Sequence, residues 1–212
     1  MTTNYSRAER VALCDLLEQL GPDAPTLCEG WTTYDLAAHL VARERRPDSG
    51  PGLLFKPLAG WTEKVRQQQK DHPYPQLLHL IRSGPPPWSP FGMLPSIDAV
   101  ANTVEFLVHH EDVRRAQPGW EPRDLEPAFE EVLWQRLRGA ARLLFRGVPV
   151  GVILHWPDGR TATVRTGSPV VELTGKPSEL LLYASGRRAH ARVELAGPAE
   201  ARQLLEDVDL RL

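Results

Sequence analysis

With 212 residues, 42% of them hydrophobic, the chain can form one large domain or a helical bundle with a small second domain. Its 25 basic and 27 acidic residues leave a formal charge of -2, which gives no electrostatic pull toward nucleic acid or an anionic membrane surface. No stretch approaches the roughly eighteen continuous apolar residues of a membrane span, and the opening MTTNYSRAER lacks the basic-then-apolar pattern of an export signal, so a cytoplasmic protein is expected.

In chain order, Ser6-x-x-Glu9 has the form of a capping box and starts a helix that runs to Gly21. A second helix spans 33–46, followed by a loop at 47–60. A third helical region covers 61–82 and is interrupted at His72-Pro73-Tyr74-Pro75. After the stiff connector 84–90, Ser96 is the expected N-cap of a fourth helix reaching 117, and 125–146 forms a fifth that ends at Gly147. Beyond it the pattern turns to strands at 148–156 and 160–165, joined by Pro157-Asp158-Gly159, and at 170–173. A helix at 177–185, a strand at 189–195 and a helix at 198–208 complete the chain. The fold class is therefore α+β, with a helical bundle over 1–147 and a small α+β domain over 148–212.

Two cysteines, too far apart for a Cys-x-x-Cys pair, are expected as reduced thiols. Cys14 shares a helical stripe with Leu17 and belongs in the core, whereas Cys28 lies in a loop, where a packed thiol is the expected reading and approach to the site the alternative. Only four of the 25 basic residues are lysines, an arginine bias in keeping with GC-rich codons.

The fourth helix reads SIDAVANTVEFLVHHEDVRRAQ. At about 100° per residue, its apolar stripe runs through Ile97, Val100, Ala101, Val104 and Val108. Glu105 and His109 flank that stripe one turn apart, Asp112 projects between them, and His110 falls on the opposite side. Burying an ionised carboxylate without a partner costs several kcal/mol, so this group calls for a cation or a complete hydrogen-bond network. Glu-x-x-x-His offers an oxygen and a nitrogen from one helical face, by the i, i+4 geometry that lets paired histidines hold zinc. His39, bordering Leu36 and Leu40 on the second helix, is the best third donor.

Two histidines and one glutamate leave a coordination position open, as in catalytic zinc sites, and iron, nickel or manganese suit the same donors. Asp112 is expected to accept a hydrogen bond from one ligating histidine and fix its ring. The bland reading stands beside this one: His39 as an ordinary core histidine, and Glu105 with His109 as a helix-surface pair. Glu44 or His110 in place of a named ligand is poorly oriented. His72, His79, His155 and His190 converge on nothing, and the run from Arg43 to Arg46 reads as a solvated helix end.

At these residues the sequence resembles the actinobacterial branch of the DinB-like metal-binding superfamily, typified by mycothiol-dependent maleylpyruvate isomerase. The matching pieces are Leu27-Cys28-Glu29-Gly30-Trp31-Thr32 leading to His39, and the stretch from Glu105 through His109 to Val113. The resemblance implies an up-and-down four-helix bundle, plus an extra helix, in which His39, Glu105 and His109 bind the metal. It also implies a sterol-carrier-like C-terminal domain whose Ser185-Gly186-Arg187 turn presents Arg187 to the cofactor or substrate, with mycothiol as the thiol. The segment 85–95 has no counterpart in that resemblance.

The expected function is a metal-dependent protein, zinc being the first choice, that activates a low-molecular-weight thiol for isomerisation or for transfer to a small electrophile. Arg187 is the expected carboxylate clamp, and the protein is a monomer or homodimer. The alternative is a non-catalytic metal-binding protein whose α+β domain holds an apolar ligand or a partner.

Overall fold

Asn4 starts the first helix: its side-chain oxygen accepts the Arg7 amide at 3.0 Å, and α1 runs Tyr5–Leu20. Ser6 and Glu9, expected as the capping box, lie inside the helix and are buried. Asn4 has taken the capping role, and Glu9 turns inward to bond His110. The helix stops at Gly21, whose φ of 80° suits a residue without a Cβ. At the start of α2, Thr33–Arg45, the Asp35 carboxylate reaches back to accept the Thr32 amide at 3.1 Å.

The computed structural model describes residues 4–49 and 59–210. Among them are nine α-helices and one four-stranded sheet, an α+β fold. No described helix is long and apolar enough to cross a membrane. The chain divides into two units, Met1–Glu121 and Pro122–Leu212.

In the first unit, the expected third helical region is two helices, α3 at Ala59–Gln69 and α4 at Tyr74–Arg82, parted at Pro73. A single turn, α5 at Pro90–Met93, precedes α6 at Pro95–Arg114. Leu13, Leu17, Leu36, Leu40, Leu77, Ile81, Phe106 and Val113 are fully or almost fully buried together, so α1, α2, α4 and α6 share one core. Each such leucine contributes on the order of 1.5–3 kcal/mol by leaving water.

The apolar stripe expected on α6 is corrected in part. Val100 is 47% exposed, whereas Phe106 and Leu107 are buried. The helix packs along α1, and its polar residues Asn102 and His109 face α2, so it is buried on more than one side and has no single stripe. The helix begins ahead of the expected Ser96 cap, with Leu94 in the capping position and Pro95 as its first residue, and the side chains of 95–98, Ile97 among them, fall outside the described residues.

In the second unit, α7 spans Pro127–Leu144 and packs on α8, Pro177–Ala184. The buried Glu130 carboxylate accepts from the Ser178 amide and hydroxyl at 2.9 and 2.7 Å, capping α8 from its neighbour. By contacts, then, the helix at 127–144 groups with the sheet, and the division falls at 121 instead of the expected 147.

Strands β1 Gly151–His155 and β2 Thr161–Arg165 form the expected hairpin, β3 Val170–Thr174 lies parallel to β1, and β4 Glu194–Ala196 is antiparallel to β3. The order is β2-β1-β3-β4. The strand expected at 189–195 is shorter, because a 3-10 turn occupies Arg188–His190. The last helix, α9, is Ala199–Glu206.

Candidate metal centre

His39 projects from α2 and Glu105 and His109 from α6, one turn apart on the helix. His39 Nε2 lies 3.2 Å from Glu105 Oε1, and His109 Nε2 lies 3.3 Å from the same oxygen. The two imidazoles meet edge to face, 5.2 Å between centroids. All three donor atoms fall within 4.8 Å of one another. Metal bonds of about 2.0–2.1 Å place neighbouring tetrahedral donors about 3.3 Å apart, so the two measured edges fit a zinc-sized ion.

Asp112, 0% exposed, has Oδ2 2.9 Å from His109 Nδ1. An ionised carboxylate only accepts, so Nδ1–H donates and Nε2 is the ring atom turned toward Glu105. Arg43 was expected in a solvated run, but its Nε lies 3.1 Å from Glu105 Oε1. The guanidinium also donates to Asn102 Oδ1 and lies 4.7 Å above the Phe91 ring. The spacing held a signal for this: Arg43 is four residues after His39 and so shares its face of α2. Its neighbours leave the solvated reading as well. Glu44 is buried in a two-pronged pair with Arg10 at 2.6 and 2.7 Å, and Arg45 donates to Leu80 and Gly84 carbonyls.

Burial is the largest influence on Glu105 and opposes its ionisation, yet Arg43, His109 and His39 together outweigh it and hold the carboxyl well below its usual range. Burial likewise dominates at His39 and lowers it, which favours the neutral ring that ligation needs. His109 is raised well above the ordinary histidine value despite its burial, by Asp112, Cys28 and Glu105. Two carboxylates thus face the Arg43 cation and a His109 ring whose charged form they favour. Charge compensation alone therefore does not demand a metal, and the case for one rests on the donor set and its spacing.

The Leu27–Thr32 stretch builds the remaining wall. The Leu27 amide donates to the Asp112 carbonyl at 3.0 Å, and Cys28 Sγ lies 3.3 Å from Asp112 Oδ2. Trp31 packs against His39 at 5.3 Å between centroids, with Arg66 4.7 Å over the indole. His110 points away from the cluster, as its helical phase requires, but it is buried and bonds Glu9 of α1 at 3.0 Å. Among the described residues the other histidines stand outside the cluster. Arg187 belongs to the second unit, in the turn after α8, where its guanidinium donates to the Ser185 carbonyl.

Comparison with known protein families finds no match, and no curated protein matches the chain. Two solved structures do resemble it. One is the crystal structure of the mycothiol-dependent maleylpyruvate isomerase, at 16% identity and a TM-score of 0.60, with 92% of this chain and 96% of that one covered. The other is a histidine-to-alanine mutant of that isomerase, at 16% identity and a TM-score of 0.58 over the same shares. The likeness is one of fold, and it extends over both units.

Proposed function

We propose that this chain binds one divalent metal through His39, Glu105 and His109 and uses it to activate a low-molecular-weight thiol, for isomerisation of a small electrophile or transfer to it. The observation that carries the proposal is the convergence of two imidazole nitrogens on one carboxylate oxygen, at 3.2 and 3.3 Å. The solved structures of similar fold belong to a mycothiol-dependent isomerase, which makes mycothiol the first thiol to test.

When bound, the ion supplies a Lewis acid that lowers the pKa of a thiol placed on it. The residues around it set the charge. Glu105 and Asp112 bring two negative charges, Arg43 one positive and a divalent ion two, leaving one net positive charge once the His109 ring has lost its extra proton. An anionic thiolate cancels that charge, whereas a neutral thiol or thioether does not. Asp112 keeps the His109 ring oriented through Nδ1, and Arg43 holds the Glu105 carboxylate against rotation. Arg187 is assigned to a carboxylate of the thiol or its substrate, a role that a planar, two-pronged guanidinium suits.

The test is a cobalt-substituted sample of Cys28→Ser, chosen so that no nearby protein sulfur contributes. Mycothiol should produce an intense sulfur-to-cobalt band with proton release, and its S-methyl analogue should not. Arg187→Ala should shift that titration to higher thiol concentration without altering the band. If no biological thiol perturbs the spectrum while cobalt stays bound, thiol activation is wrong.

A further inference from the structure

The back of the His109 ring faces a second set of donors. Its Nδ1 is 2.9 Å from Asp112 Oδ2, which is 3.3 Å from Cys28 Sγ, and the three atoms lie within 4.8 Å of one another. Bonds of about 2.3 Å to sulfur and about 2.0–2.2 Å to nitrogen and oxygen require edges of about 3.6 Å for S to O and about 3.4 Å for O to N in a tetrahedral site. The observed edges are a few tenths of an ångström shorter, a difference that small side-chain rotations close.

The loop is built to keep the sulfur there. Thr26 Oγ1 accepts the Cys28 amide at 3.2 Å and donates to the Trp31 carbonyl at 2.9 Å, and the Cys28 carbonyl accepts the Trp31 amide at 2.9 Å. The Leu27 amide ties the same loop to α6 at the Asp112 carbonyl. Cys28 is partly exposed, while Asp112 is fully buried.

We propose that Cys28 Sγ, Asp112 Oδ2 and His109 Nδ1 form a second cation position, selective for thiophilic divalent ions such as Cd2+ or Zn2+. One sulfur, one carboxylate oxygen and one imidazole nitrogen are a softer set than His39, Glu105 and His109, and thiolate favours such ions over manganese or magnesium. The ring links the two positions, Nε2 facing one and Nδ1 the other. A neutral imidazole has one free electron pair, so His109 serves one position at a time. Entry of the cation displaces both the thiol proton and the Nδ1 proton to solvent, the ring keeping its proton on Nε2, and Asp112 becomes a ligand, no longer the acceptor from Nδ1–H.

The position does not depend on the His39 side being a metal site, and the experiment separates them. The probe is CdCl2, titrated into metal-free full-length protein while the thiolate-to-cadmium ultraviolet band is followed. The wild type should show the band, and His39→Ala should keep it. Cys28→Ser should lose it, Asp112→Asn should weaken cadmium binding at least tenfold, and Cys14→Ser, altering the fully buried cysteine, should leave the band intact. Cadmium binding to the wild type without a band, a band that survives Cys28→Ser, or a band lost with His39→Ala would each overturn the proposal. Circular dichroism of the variants guards against misfolding, and should Cys28→Ser fail to fold, Cys28→Ala takes its place. The His39 side is judged separately, by the nickel or zinc content of Cys28→Ser.

Discussion

Arg43 Nε and both candidate histidines meet at a single oxygen, Glu105 Oε1, the guanidinium at 3.1 Å. An arginine beside a metal ligand repels the ion but also keeps the carboxylate ionised and fixed in rotation. Arg43→Ala should therefore leave metal bound but looser, by about ten- to a hundred-fold, as for other residues that orient a ligand. Arg43→Lys should recover only part, because an ammonium cannot bridge Glu105 and Asn102 with a planar fork. A chelator-competition titration measures both. Unchanged affinity in Arg43→Ala would show that Glu105 needs no such partner.

His39→Ala, Glu105→Ala and His109→Ala should each lose most bound metal, while His110→Ala keeps it. The last change removes a hydrogen bond to the buried Glu9 carboxylate and should lower stability by about 1–3 kcal/mol. Elemental analysis and thermal unfolding of the four variants separate the two effects. Equal metal loss in His110→Ala and His109→Ala would contradict the phase of α6.

Asp112→Asn should weaken metal binding on the His39 side less than any ligand change does, by about ten- to a hundred-fold. The amide can still accept from His109 Nδ1–H but carries no charge. Chelator competition with zinc reads the effect. Complete loss of zinc would make Asp112 a ligand for that ion, and no change would remove it from the site.

Asp35 gives an acid-stability prediction away from the metal. Burial, the largest influence, raises its pKa, but Lys70, Arg66 and Thr32 outweigh it and hold the carboxyl far below its usual range. A depressed folded-state pKa adds stability that is present above the unfolded value, about 3.9, and is lost as pH falls toward the folded one. Asp35→Asn should cost about 1–3 kcal/mol at pH 7, and the gap to wild type should shrink steadily below about pH 4. Urea unfolding at both acidities tests this, and a gap that does not change with pH would refute it.

The helices and the hairpin were legible because their signals are local: proline breaks, an Asp-Gly turn and i, i+4 spacing. The same spacing put Glu105 and His109 on one face of α6, and the flanking leucines of α2 turned His39 inward. Cys28 beside Asp112, a separation of 84 residues, has no local spacing that fixes it, and a loop cysteine reads first as simply packed. Arg43 did leave one, its fourfold offset from His39, but a basic run at a helix end has a ready solvated reading, and only the packing of α2 on several sides removes it. The contact-based division at 121 differs from the expected boundary for a similar reason. Gly147 is a clear helix stop, yet Pro118, Gly119 and Pro122 punctuate the chain equally well, and the contacts of α7 decide between them.

The Asp112 carbonyl is among the last four of α6, which have no amide ahead of them in the helix, and the Leu27 amide fills that vacancy at 3.0 Å. The loop carrying Cys28 and Trp31 is thereby the cap of the helix that carries Glu105 and His109. Fraying of that last turn would therefore release the loop as well. An ion held at the proposed site would then leave with the opening of this loop, and deuterium uptake at the Leu27 amide would report that opening.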